Sequence, residues 1–105
     1  MKGSRPQMTF EEFRESAVGA ANEPPPGLSG AVLALWHDAR GDWERAHACA
    51  QDDPGAAGSW VHAYLHRKEG DPGNAGYWYS RAGRPASKES LQHEWEAIAR
   101  EMLRS

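Results

Sequence analysis

The sequence predicts a single all-α domain of 105 residues, and three observations support this class. No segment alternates between apolar and polar residues in the way that a half-buried β-strand does. Residues that begin helices (Thr, Ser, Asp) and glycines that end them recur along the whole chain. A C-terminal stripe of Leu91, Trp95, Ile98 and Met102 follows the spacing of one apolar helix face.

The first helix is predicted over about residues 10–20. Thr9 precedes it and Glu12 follows three residues later, which is the pattern of a capping box. The prolines in "NEPPPG" cannot continue a helix and favour an extended connection. Residues 1–27 are therefore predicted to be a tail, a helix and a Pro-rich linker.

Five further helices are predicted because each has a capping residue at its start. Ser and Asp side chains accept hydrogen bonds from the free N–H groups of a first helical turn. Glycine ends a helix because it accepts the left-handed conformation. The helices and their caps are about residues 30–40 (Ser29), 43–51 (Asp42), 54–69 (Asp53, with Pro54 as first helical residue), 72–82 (Asp71) and a last helix within 87–105 (Ser87).

An internal repeat relates the second and third helices to the fourth and fifth. An offset of 29 residues places Gly41 on Gly70, and each unit then reads as helix, Gly-Asp corner and helix. The coinciding pairs are Val32 and Val61, Ala34 and Ala63, His37 and His66, Gly41 and Gly70, Asp42 and Asp71, and Ala46 and Ala75.

The segment "GDPGNAGYWYSRAGRP" resembles the second helix of a tetratricopeptide or Sel1-like repeat, with Gly70, Ala75, Tyr79 and Ala82 at the matching positions. The first unit is similar at Ala34, Gly41 and Ala46, and departs from the pattern at Ala50 and Asp53. The resemblance implies antiparallel helix-hairpin repeats over residues 28–86 in a right-handed superhelical stack, capped by the first helix and by residues 87–105. It also implies a small module that binds a protein or peptide partner.

In such repeats the first helix of each unit lines the concave, ligand-binding face. By that resemblance the fourth helix presents Trp60, Tyr64, Arg67 and Lys68, and the second helix adds Leu35 and Asp38. Aromatic residues with arginine are typical of binding hot spots, and a basic pair could receive a peptide carboxylate. The alternative is that Trp60 packs on the N-terminal linker and that the basic pair is solvated.

Histidines suggest a second function. His62 and His66 are four residues apart on one helix face, and His37 occupies the position equivalent to His66 in the other unit. Stacked units would bring the three imidazoles together as a site for zinc or another divalent transition metal. One coordination position would stay open, as hydrolytic activity requires. The alternative is that these histidines only fill packing positions. "HAYLH" lacks the glutamate of a metalloprotease motif.

Composition disfavours several other classes of function. The formal net charge is −3, which does not suit a nucleic-acid binder, and no apolar run is long enough to cross a membrane. One cysteine, Cys49, and an N-terminus without a signal-peptide pattern favour the cytoplasm. Apart from the alternative metal site, no catalytic residue and no cofactor are predicted. The leading expectation is a protein-interaction module that pairs with a partner or with a second copy of itself.

Overall fold

The structure, a computed structural model, describes residues 8–104. Helices are the only regular secondary structure within this range. This confirms the predicted all-α class. None of these helices is both long and apolar enough to cross a membrane. The helices are α1 (Phe10–Val18), α2 (Gly30–Ala39), α3 (Trp43–Gln51), α4 (Ala56–Glu69), α5 (Pro72–Ala82) and α6 (Leu91–Arg104).

Four of the predicted helix starts are confirmed by hydrogen bonds. Thr9 and Glu12 form the complete capping box of α1. The side chains of Ser29, Asp42 and Asp71 accept from the backbone N–H three residues later, at the starts of α2, α3 and α5. These bonds span three residues, so sequence alone predicts them.

The two Gly-Asp corners have the expected left-handed geometry. Gly41 has φ 81° and Gly70 has φ 90°, a region that side chains with a Cβ rarely adopt. After Gly70, the N–H of Asp71 donates to the carbonyl of His66, which satisfies one of the last carbonyls of α4. Each corner therefore turns the chain back within two or three residues.

The predicted start of α4 is wrong. The helix begins at Ala56 after Gly55, and no side chain caps it. Asp53 instead accepts hydrogen bonds elsewhere: Oδ2 accepts from the N–H of Ala31 at 3.1 Å, and Oδ1 accepts from that of Gly55 at 3.2 Å. Asp53 thus helps to cap α2 from a distant part of the chain, an interaction that a local pattern does not reveal.

The start of α6 also differs from the prediction. Ser90, rather than Ser87, accepts from the N–H of His93 and begins the helix at Leu91. Ser87 accepts from the N–H of Glu89 in the loop before it. The sequence "SKES" offers two serines three residues apart, and the packing of Leu91 and Trp95 selects the second.

The helices pack as two neighbouring pairs with two covering helices. Helix α2 packs on α3, α4 packs on α5, and α3 packs on α4. Helix α6 lies on α2 and α4, and α1 lies on α2 and α6. The Phe13 and Trp95 rings stack at 5.6 Å where α1 meets α6. Small buried residues lie on the paired helices: Ala34, Ala46, Ala63 and Ala75.

Candidate metal-binding site

Three histidines converge where α3 crosses α4. His47 comes from α3, and His62 and His66 come from α4. One ring nitrogen from each lies within 4.8 Å of the other two. Imidazole nitrogens at such separations, on two packed helices, are the arrangement from which three-histidine metal sites are built.

The position of His47 follows from the way α3 is fixed on α4. The indole Nε1 of Trp43 donates to the carbonyl of Leu65 at 3.0 Å, which joins the first turn of α3 to the middle of α4. His47 is one turn further along α3, on the same face as Trp43. The bond from Trp43 therefore sets His47 against the pair of histidines on α4.

Two hydrogen bonds orient the imidazoles. The Nε2 atoms of His47 and His62 are 2.8 Å apart, so one ring donates a proton to the other. Nδ1 of His66 is 2.7 Å from Oε1 of Glu69, and the carboxylate oxygen accepts a hydrogen bond from this nitrogen. That bond leaves Nε2 of His66 with a free lone pair. A carboxylate on the far nitrogen is the usual support for a metal-binding histidine.

Two tryptophans form the walls of the cluster. The Trp78 ring lies parallel to His62, with ring centres 3.8 Å apart. The Trp43 ring stacks on His47 at 4.9 Å. His62 and His66 are only 4% and 7% exposed, whereas His47 is half-buried. Two indole rings therefore flank the site, and its most exposed histidine is His47.

The surroundings favour the uncharged forms of His62 and His47. Burial, followed by repulsion from His47 and His66, lowers the pKa of His62 to about 4. Burial and His66 also lower the pKa of His47, against a smaller opposing effect of Glu69. Neutral imidazoles keep the lone pairs that a metal ion needs. At neutral pH these two rings are uncharged, and the ring that donates from Nε2 becomes a ligand at that atom by carrying its proton on Nδ1 instead.

His37 does not belong to this cluster. The structure brings together His62 and His66, as the sequence predicted, but the third position is taken by His47. His37 is buried on α2 against the edge of Trp36. Burial and Arg45 lower its pKa, with Asp42 opposing them. The repeat offset pointed to α2, whereas α3 is the helix that lies beside this part of α4.

His47 itself gave a weak signal in the sequence. It stands four residues after Trp43, so the two share a helix face. The repeat offset pairs it with Gly76, so a comparison of equivalent positions does not find a second histidine there.

His66 also belongs to a second group of possible metal ligands, together with Glu69 and Asp71. Asp71 already caps α5, and Glu69 already binds His66.

The residues predicted to line a binding face meet at two buried carboxylates, one of which is the predicted Asp38. Asp38 accepts from the Tyr64 hydroxyl and from Lys68 Nζ, both at 2.8 Å. Leu35 is completely buried, and its carbonyl accepts from Trp95 Nε1 at 3.0 Å. In this conformation these side chains hold α2, α4 and α6 together.

The second carboxylate is Glu94 of α6, which is 2% exposed. Its Oε1 accepts from Arg67 at 2.7 Å, and its Oε2 accepts from Trp60 Nε1 at 3.1 Å and from the Tyr79 hydroxyl at 2.6 Å. Arg67 also donates to the carbonyl of Glu89. The carboxylate that Arg67 was expected to receive from a peptide thus comes from the chain itself. The signal for this pair in the sequence was Glu94, an acidic residue beside the apolar stripe of α6.

The exposed aromatic surface of the described chain lies on α5. Tyr77 is 55% exposed, and the guanidinium of Arg81 lies 5.8 Å from its ring centre and 5.5 Å from that of Trp78. Arg81 also donates to the Tyr77 hydroxyl at 3.3 Å. Since Trp78 stacks on His62, this surface adjoins the histidine cluster.

Comparisons with models of protein families, with curated protein sequences and with solved structures returned no match to this chain.

Proposed function

We propose that this protein binds a divalent transition metal ion through His47, His62 and His66. The observation that carries the proposal is the convergence of one nitrogen from each ring within 4.8 Å. Imidazole suits zinc, copper, nickel and iron, whereas magnesium and calcium prefer oxygen ligands. The donor set therefore favours a borderline metal such as zinc.

For the His47–His62 pair, the adjustment that a metal requires is small. With zinc–nitrogen bonds of about 2.0–2.1 Å and tetrahedral angles, two ligand nitrogens lie about 3.3 Å apart. The Nε2 atoms of His47 and His62 are now 2.8 Å apart, as a hydrogen-bonded pair. If a metal bound both Nε2 atoms, this pair would open by about half an ångström. The donating ring would then carry its proton on Nδ1, so that both rings stay neutral.

We propose a tetratricopeptide or Sel1-like frame for this site, with a right-handed stack of two helix hairpins over residues 28–86. The pairing of α2 with α3 and of α4 with α5 supports it. The buried small residues Ala34 with Ala46, and Ala63 with Ala75, support it further, because small side chains allow close helix approach. In this frame the metal would join the two hairpins.

The test is a direct binding measurement on untagged protein freed of metal with EDTA. We expect one zinc ion per chain by competition with a chromophoric chelator. His47→Ala, His62→Ala and His66→Ala should each weaken binding at least tenfold. His93→Ala is the matched control, because its side chain is 70% exposed on α6, and His37→Ala tests the position that the repeat suggested. Equal affinity in the wild type and in all three cluster variants would disprove the proposal.

A second candidate function is protein–protein contact, including self-association, through the α5 surface. The exposed Tyr77 with Arg81 over Trp78 favours it, because aromatic residues and arginine dominate binding hot spots. Light scattering across a concentration series tests self-association. Tyr77→Ser with Arg81→Ser should abolish any dimer, and Arg14→Ser on α1 should not. A monomer at all concentrations argues against pairing.

A further inference from the structure

We infer that the metal at His47, His62 and His66 keeps a fourth coordination position open to small external ligands. This inference rests on the proposed metal site. It assigns to that site a chemical class of ligand: water or hydroxide, a small monodentate anion, or a free imidazole.

The protein supplies three donors. Zinc in closed structural sites has four protein ligands, whereas three protein ligands and a solvent molecule are typical of reactive sites. Within residues 8–104, the group of ligand atoms that contains His47 holds only the three histidines. A metal bound there would have a vacant position that a molecule from solution fills.

Neither the carboxylate of Glu69 nor the thiol of Cys49 is placed to fill that position. Glu69 holds Nδ1 of His66, the ring nitrogen opposite the one left for the metal, so it orients the ligand. Cys49 is two residues after His47 on α3, which puts it on a different helix face. It lies outside the cluster of ligand atoms.

The site is accessible at one edge. His62 and His66 are almost completely buried, but His47 is half-buried, as are Trp43 and Trp78 beside it. The indole rings of these two tryptophans stack on His47 and on His62, so they adjoin this edge of the site. The rigid rings favour small ligands over bulky chelators.

Charge selects the ligand further. The three imidazoles are neutral ligands, so the bound ion keeps its double positive charge. A small anion is therefore attracted more strongly than a neutral molecule of the same size. Azide is a suitable probe for the anion, and imidazole is a suitable probe for a neutral nitrogen donor.

The test uses cobalt(II) in the full-length, untagged chain, since its visible absorption reports coordination number and ligand type. Titration of the cobalt-loaded protein with azide, and separately with imidazole, should change the visible bands along a saturable, one-to-one curve. His93→Ala should behave like the wild type. Cys49→Ser should leave both the initial spectrum and the titration unchanged.

The outcomes separate this inference from the proposed function. Cobalt that binds stoichiometrically, but whose bands do not respond to azide or imidazole, overturns the open position and leaves the metal site standing. An intense sulfur-to-cobalt band that is lost in Cys49→Ser also overturns it, because the thiol would then be the fourth ligand. Failure of cobalt and zinc to bind at all removes the proposed function and this inference together.

Discussion

The Nε2 atoms of His47 and His62 meet at 2.8 Å across the interface of α3 and α4. One of these rings must donate a proton and the other must accept it. The contact joins helices from two different hairpins, and it lies between two stacked indoles. If both Nε2 atoms bound a metal ion, with the donating ring carrying its proton on Nδ1 instead, coordination would replace a modest hydrogen bond by a stronger link between the hairpins.

Metal binding should raise the thermal stability of the folded chain. A ligand that binds only the native state stabilises it by about 2.7 kcal/mol at 100 times its dissociation constant. For a domain of this size the melting temperature should then rise by roughly 10 °C or more. Differential scanning fluorimetry with zinc, reversed by EDTA, measures the shift. His62→Ala should lose it and His93→Ala should keep it. A shift that survives in His62→Ala would place the metal elsewhere.

Without metal, acid should destabilise the protein through His62. Its pKa is lowered from 6.5 to about 4 in the folded chain, so the unfolded chain takes up the proton first as pH falls. Stability is therefore retained above pH 6.5 and lost between about pH 6.5 and 4, by an amount on the order of 3 kcal/mol. The groups that face this ring are His47 from α3, Trp78 from α5, and His66 on α4 beside Glu69.

Urea unfolding in EDTA across this pH range measures the effect. His62→Gln removes the titrating group and keeps a polar side chain, so its stability should depend less on pH than that of the wild type. His93→Gln, at an exposed position, should follow the wild-type curve. Parallel pH profiles for His62→Gln and the wild type would show that another group controls the acid sensitivity.

The buried Arg67–Glu94 pair should matter more than an exposed pair on the same helix. Glu94→Gln leaves the Arg67 charge without its partner, and loss of one member of a buried pair costs about 3–5 kcal/mol. We expect a loss near 3 kcal/mol, because the Arg67 side chain is 23% exposed. Glu101→Gln disrupts the pair with Arg84, whose side chain is 35% exposed, and should cost about 1 kcal/mol or less. Urea unfolding compares the two; equal losses would contradict the assigned role of Glu94.

Two helical glycines should respond to alanine in opposite directions. A Cβ on Gly58 of α4 would overlap the carbonyl oxygen of Asp53, so Gly58→Ala should destabilise the protein by about 1–3 kcal/mol. A Cβ on Gly76 of α5 meets nothing within 4 Å. Gly76→Ala should therefore stabilise by about 0.5–1 kcal/mol through helix propensity. Chemical unfolding of both variants tests this, and a neutral Gly58→Ala would mean that the turn at Asp53 yields easily.

The candidate site was only partly predictable. His62 and His66 follow from their spacing alone, because residues four apart on a helix share a face. His47 depends on where α3 lies on α4, and the bond from Trp43 to Leu65 that sets this position joins residues far apart in the chain. The repeat suggested His37 because it relates positions within the sequence, whereas ligation depends on which helices are neighbours.

The sequence by itself determined the helical class, the caps at Thr9, Ser29, Asp42 and Asp71, and the left-handed corners at Gly41 and Gly70. These features depend on hydrogen bonds and backbone preferences within a few residues, so they can be read locally. Only the tertiary structure assigned Asp53 to the start of α2, Glu94 to Arg67 and His47 to the histidine cluster. Those partners are far apart in sequence, and their meeting depends on how the apolar faces of whole helices pack.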